Sequence, residues 1–292
     1  MQNIFILPLN TFITMRICIL LVLFNFSVFA QEDYTFNSSY RTFEVGESFF
    51  IFFDNTPIYP SPYITPNPLV ELSIGHSITI LERIDEAIEI NGFRTNWYHV
   101  SFLTEGNEQF GFVWGGNIAR HAFYSLDSPK TLFFYGIEKI ETIDRGNYKE
   151  ESIILNLIAY DHGFVIDQLK FQAIGTLYTN TQGNALGNKG IYSIQDVIEI
   201  AFNDGYCGGV SASITIFWDG KKLHYIDLLT NSFNSETFAS KFFVYPVDKY
   251  GKEQFITLRE ESGIYGQDNH PVYTYLIDKL YKWDGVILRR HK

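Results

Sequence analysis

Between Trp97 and Trp114 the chain reads "WYHVSFLTEGNEQFGFVW", and this stretch limits what can form more than any other. Two runs rich in aromatic and β-branched residues flank Glu105-Gly106-Asn107. A connection that short pairs them as an antiparallel hairpin. Tyr98 and Val100 alternate with Trp97 and His99, so one face is expected to fill a core and the other to meet solvent or a ligand. Gly111 and Gly115 bracket the second run, where the chain must turn tightly or approach a neighbour closely.

The residues upstream extend the pattern. Phe49 to Phe53 has the length of a short apolar strand. Pro57 to Pro68 is too rich in proline for a helix or a central strand, because proline fixes φ and donates no backbone hydrogen bond. "LVELSIGHSITILERI" then supplies two β runs around Ile74-Gly75-His76. Five short strands with one long early loop predict a small barrel. Its motifs are Gly75-His76-Ser77-Ile78-Thr79-Ile80-Leu81, then Trp97-Tyr98-His99-Val100, then Gly111-Phe112-Val113-Trp114. Over residues 48 to 121 this succession resembles the bacterial SH3-like (SH3b) domain, with its "G-x-x-V-x-V-L", "W-Y-x-V" and "G-x-x-G-[YF]-V" runs. Two departures stand out: "TPIYPSP" replaces the family's "N-V-R", and the segment between Leu81 and Trp97 is longer than usual. The resemblance implies a binding or docking module for cell-wall peptide or another envelope component.

From residue 125 onward the chain is a succession of strand-length runs, from "TLFFYGIEKIETI" to "PVYTYLIDKLYKWDGVILRR". Ser128-Pro129 marks the expected junction, which gives a lead-in over 31–47, a barrel over 48–124 and a larger β-rich domain over 125–292. Within the latter, Trp218-Asp219-Gly220 and Trp283-Asp284-Gly285 each follow an alternating apolar run, which predicts the same Asp-Gly hairpin used twice. A weaker third copy spans "IILNLIAYDHGFVIDQLKFQAIGTLY". Such repeats fit a sandwich or a propeller-like array. The fold class expected for the whole chain is mainly β: 17% of residues are aromatic, and 22 glycines punctuate the runs.

The amino terminus supplies an address. Arg16, the apolar run from Ile17 to Phe24, and Val28 and Ala30 before Gln31 have the layout of a cleavable secretory signal over residues 1–30, with either Met1 or Met15 as the start. A retained membrane anchor is the alternative, which an apolar run so short, interrupted by Asn25 and Ser27, suits less well. The protein is thus expected to be exported, periplasmic or extracellular, with no membrane span after cleavage. Losing Arg16 takes the net charge from −11 to −12. Such an acidic chain repels phosphate backbones, so nucleic acid is not an expected partner. Cys18 is lost with the signal and Cys207 remains, which leaves no pair for an intramolecular disulfide. Export without disulfides suits a bacterial envelope.

Candidate chemistry is sparse. Tyr59, Tyr63, Trp97 and Trp114 are the candidate ligand-binding residues, because the Pro-rich loop would fold over the terminal hairpin and bring the four rings to one groove. The favoured expectation is that at least two of them are core or loop anchors. Cys207, in "NDGYCGGVSAS" with His224 and His270 downstream, faintly resembles the nucleophile region of NlpC-type cell-wall cysteine peptidases, although "D-C-S-G" has become "Y-C-G-G". A binding protein without catalytic residues is the leading expectation. The alternatives are that peptidase and a structural interaction protein with no ligand. The histidines lack zinc-ligand spacing, and His121 and His162 are expected at the surface. With no Asp-x-Asp-x-Asp run and no phosphate-cradling loop, neither metal nor cofactor is expected. Glu82, Asp85, Glu86 and Glu89 form a solvated acidic face.

Mass spectrometry of the exported protein is expected to give an amino terminus at Gln31. A mature chain that keeps Phe24 would overturn the address.

Overall fold

The computed structural model describes residues 42–144, 146–147, 149–175, 179–203, 210–266 and 270–291. The signal segment and Cys207 lie outside the described residues. Apart from one short 3-10 turn, Gly115–Asn117, the regular structure is antiparallel β, so the mainly β reading holds. No described helix is long and apolar enough to cross a membrane.

A first sheet, in the order β1-β4-β5-β6, contains β1 (Ser48–Phe50), β4 (Ser77–Ile90), β5 (Phe93–Thr104) and β6 (Asn107–Trp114). A ribbon of β2 (Thr56–Ile58) and β3 (Val70–Leu72) flanks it and contains Pro57, the first of the expected loop prolines. Tyr59, just beyond β2, pairs with Phe112 of β6 through reciprocal backbone bonds of 2.9 and 2.8 Å. Gly111 permits that approach, since a Cβ there would lie 2.4 Å from Ile58 Cγ2. The β5–β6 turn has positive φ at both Glu105 and Gly106 (51° and 78°), as a two-residue hairpin of the twist-matched type requires.

The long segment between Leu81 and Trp97 is a second hairpin of that kind. Asn91 and Gly92 have φ of 54° and 78°, and Ile90 pairs with Phe93. The strand β4 therefore runs for 14 residues, with Glu82, Asp85, Glu86 and Glu89 exposed along it. Asn-Gly between apolar runs is the strongest short-range hairpin signal.

The second sheet has the order β10-β9-β8-β7, from β7 (His121–Tyr124), β8 (Leu132–Asp144), β9 (Lys149–Asp161) and β10 (Phe164–Gln172). The third is an eight-stranded meander: β11 (Asn180–Ala185), β12 (Asp196–Asn203), β13 (Val210–Trp218), β14 (Leu223–Phe233), β15 (Thr237–Val244), β16 (Ile256–Tyr265), β17 (Pro271–Trp283) and β18 (Leu288–Arg290). The meander curls. Phe217 of β13 meets Trp283 of β17 with ring centroids 5.2 Å apart, and one buried cluster joins β12 and β13 to β16. The last strand, β18, covers β17 only at Tyr281–Trp283.

The two Trp-Asp-Gly turns are built alike. Asp219 Oδ1 accepts the amides of Lys221 and Lys222 at 2.8 and 2.7 Å, and Asp284 Oδ1 those of Val286 and Ile287 at 2.9 and 2.8 Å. The second carboxylate oxygen holds His224 in one turn and Arg289 in the other. Both glycines have positive φ, 92° and 98°, which an L side chain rarely adopts. The weaker third copy closes instead on a two-residue turn, His162-Gly163.

Burial ties these sheets together. In β8, Phe133, Tyr135 and Ile137 join one core with Phe93, Trp97 and Trp114 of the first sheet and Ile198, Ile214 and Trp218 of the third. Its alternate residues Leu132 and Phe134 pack with Phe52 and Ile158. The described residues fall in one compact unit, and the core around β8 draws on residues from both sides of position 124. The segment expected as a junction is anchored: buried Asp196 accepts from Ser125 Oγ at 2.5 Å and from the Leu126 amide at 3.2 Å.

Contrary to expectation, His121 is buried, because β7 turns its ring toward Phe123 and Tyr135. Burial lowers its pKa to about 4, whereas the unfolded chain titrates near the ordinary value, about 6.5. The neutral ring therefore contributes full stability above about pH 6.5, and that contribution is lost as pH falls toward 4, by about 3 kcal/mol in all. Denaturant melts at pH 7 and pH 4 are expected to show that loss in the wild type and a correspondingly smaller one in His121→Gln.

Candidate functional site

Strand β5 changes partners along its length. Phe93, Thr95 and Trp97 are buried on one face, while Tyr98, Val100 and Phe102 are buried on the other. The second set is buried with Ile78 and Ile80, the β4 register partners of Phe102 and Val100; the alternation separates the two faces without saying which is the core. The first set does not meet solvent. It faces β8, because the β4–β5 hairpin extends beyond the barrel and packs Ile88, Ile90 and Phe93 on the core around Ile137 and Ile153.

Trp97 and Trp114 are register partners across β5 and β6. Tyr59 meets Trp97 edge-on with centroids 5.7 Å apart, and Phe93 meets Trp114 in the same manner at 5.7 Å. The Trp114 indole lies across Gly116, where a Cβ would come within 1.9 Å of the ring. Three of the four candidate residues are thus brought together and are largely buried: Trp97 is 1% exposed, Trp114 7% and Tyr59 9%. This is the core placement expected of at least two of them, in place of an open aromatic groove. Tyr63, the fourth, is 61% exposed on the Pro-rich loop and has no place in the cluster.

The cluster nevertheless has an accessible side. Tyr59, Trp97 and Trp114 line a cavity of about 410 Å³, within the range of roughly 300–1,000 Å³ usual for small-ligand pockets. Phe53, Pro57 and Ile64 contribute from the Pro-rich side, and Ile90, Asn91 and Phe93 from the β4–β5 hairpin. Ile137, Glu138 and Lys139 of β8 complete the lining. The pairing with β9 slips between Ile137 and Lys139, so Glu138 is the extra residue of a β-bulge, a device that re-aims side chains.

The polar groups divide into two kinds. The charges are spoken for: Glu138 binds Lys170 at 2.5 Å and accepts from Asn156 at 3.3 Å, while Lys139 pairs with Glu141. The indole N–H groups of Trp97 and Trp114, like those of Trp218 and Trp283, are buried with no hydrogen-bond partner among the described residues. Each such donor costs about 1–3 kcal/mol if left unsatisfied.

The sequence did not point to Phe53, Phe93 or the β8 trio as site residues. Phe93 was within reach, since it follows Asn91-Gly92 directly. The cysteine peptidase reading is not tested by the described residues, since Cys207 lies outside them; His224 is held by Asp219 at 2.9 Å in the β13–β14 turn. No protein-family model matches the chain, and no curated protein or solved structure matches it significantly.

Gly116→Ala forces the Trp114 ring or the backbone aside. The variant is expected to lose about 1–3 kcal/mol in a denaturant melt and to shift the tryptophan emission spectrum, as overpacking does. Unchanged stability and emission would mean that the ring is not pinned there.

Proposed function

We propose that this protein is an exported binding protein without catalytic activity, whose amino-terminal barrel presents the aromatic cavity to cell-wall peptide or another envelope component. The single observation behind this reading is the convergence of Tyr59, Trp97 and Trp114 on one cavity of small-ligand size.

Two further features support it. The strand order β1-β4-β5-β6, with the chain returning to β6 at Tyr59, suits the resemblance to bacterial SH3-like domains. The amino-terminal signal layout suits a partner outside the cytoplasm. The Pro-rich segment is then the recognition loop. Proline lowers the conformational entropy such a loop would otherwise lose on binding.

Ile64 lines the cavity yet is 61% exposed, so a change there alters the mouth without disturbing a core. The wild type is expected to be retained on purified peptidoglycan. Ile64→Asp should weaken retention about tenfold, which is about 1.4 kcal/mol, at an unchanged melting temperature. A wild type that passes through unretained would remove the cell wall as the target.

A further inference from the structure

We propose that one end of the meander, formed by its β11–β12, β13–β14, β15–β16 and β17–β18 connections, docks on the surface of an anionic lipid bilayer. This surface shares no residue with the cavity at Trp97 and Trp114, and the proposal does not rest on that cavity.

Antiparallel strands taken in sequence order place alternate connections at the same end of a sheet. Residues 186–195, 219–222, 245–255 and 284–287 therefore lie together, and close approaches join them. A Cβ at Gly190 would lie 2.8 Å from Val247 Cγ1, and one at Gly220 would lie 2.5 Å from Gln195 Nε2. Three of the connections enclose a cavity of about 580 Å³, whose lining includes Tyr192, Gln254, Lys282 and Gly285.

The tips of these connections are apolar. Tyr192 is 94% exposed, and Val247, Tyr250, Val286 and Ile287 are exposed as well. Exposed apolar side chains gathered at one end mark an interaction surface.

Lysines stand among them. Lys221, Lys222, Lys249 and Lys252 are exposed, Lys189 is half-buried, and none of the five forms a salt bridge among the described residues. Lys282, at the cavity, reaches Gln254 Oε1 at 3.4 Å and likewise pairs with no acid there. Counted with two strand residues on either side, the four connections hold seven Lys/Arg and five Asp/Glu, the reverse of the balance in the whole chain, which has 22 and 33. Four of those five acids, Asp196, Asp219, Asp248 and Asp284, accept backbone amides. The opposite end of the same sheet shows the contrast, since Phe233 and the β14–β15 connection offer an exposed ring beside Glu236 and no base.

A bilayer with anionic headgroups meets both features at once. Valine, isoleucine and tyrosine tips bury at the boundary between headgroups and acyl chains, and lysines beside them lie at the level of the phosphates. A headgroup phosphate entering the cavity would meet Lys282. A nucleic acid or a sulfated glycan would use the lysines and leave the aliphatic tips in water. A soluble acidic protein would call for a contiguous apolar centre with the charges at its rim, whereas here Lys249 adjoins Tyr250 and the two kinds alternate from tip to tip.

The test is co-sedimentation of the exported protein with vesicles of phosphatidylcholine alone and of an equimolar mixture with phosphatidylglycerol, with heparin and duplex DNA assayed in parallel. Partition onto the mixed vesicles is expected, with far less onto the neutral ones and release as salt is raised. Lys221→Glu and Lys249→Glu should each weaken that partition about fivefold or more. Arg94→Glu on β5 makes the same change in net charge on the first sheet and should leave it unaltered. Val247→Ser combined with Val286→Ser keeps the charge and should weaken partition about tenfold, whereas Phe233→Ser at the other end should not. All these side chains are exposed, so melting temperatures are expected to hold. Vesicle binding indifferent to phosphatidylglycerol or to the tip variants, as an apolar amino terminus would give, would overturn the proposal, and so would no vesicle binding at all. Binding to heparin or DNA without binding to vesicles would overturn the bilayer in favour of a soluble polyanion.

Discussion

The strand β8 has no solvent face over its first half, and the rest of the molecule is arranged around that fact. Phe133, Phe134 and Tyr135 are fully buried in succession, with Leu132 and Ile137 nearly so. Successive side chains of a strand point to opposite sides, so layers must cover both. The barrel sheet and the curled meander share one side, and the β1–β2 connection with Phe52 covers the other. Gly136 makes the second layer possible, because a Cβ there would lie 2.7 Å from the Phe52 ring. Full burial of a single Phe is worth about 1.5–3 kcal/mol, so a strand buried on both faces is a large share of the stability of any fold this size.

The sharing of that strand explains which parts of the fold were legible. Runs such as "SIILNLIAY" and "KFFVYPV", the Glu105-Gly106 turn and the twin Trp-Asp-Gly turns were readable because their signals are local. Hairpin chemistry depends on φ at one or two residues, and the chain states it outright at Gly106, Gly220 and Gly285. Alternation also set Tyr98 and Val100 on the face opposite Trp97. Alternation alone could not say which face fills a core, and here both do: a second layer from 36 residues further along, at Phe133, buries Trp97 as well. The polar strand β11 escaped notice because "NTQGNA" carries no apolar alternation.

The candidate site was half legible for the same reason. Tyr59, Trp97 and Trp114 were nominated by the expectation that a Pro-rich loop folds over a terminal hairpin, and the Tyr59–Phe112 backbone pairing is the contact that brings the loop there. The floor from β8 was beyond reach, because a bulge at Glu138 leaves no mark in the sequence except an acid beside a base. His121 illustrates the limit from the other side. A lone histidine between Arg120 and Ala122 carries no local sign of burial, and only the packing of Phe123 and Tyr135 around it decides its titration.

Strand β17 carries a different consequence. Its partner β18 covers three residues and His291 caps Leu280, so from Pro271 to Lys279 its outer edge has no strand beside it among the described residues, and Tyr273, Tyr275, Leu276 and Ile277 remain substantially exposed along it. An open apolar edge is a template on which further copies can stack. Two features oppose that: the register slip beside Thr274 bends the strand away from flat pairing, and Asp278 and Lys279 sit just beyond the tyrosines, each bonded inward to β16. The remaining safeguard is the like charge of every copy, and its reach contracts to about 8 Å at physiological ionic strength. Colloidal behaviour in this protein is accordingly set by the salt around it as much as by the sheet itself, with dilute, low-salt solution the condition under which its last long strand stays solitary.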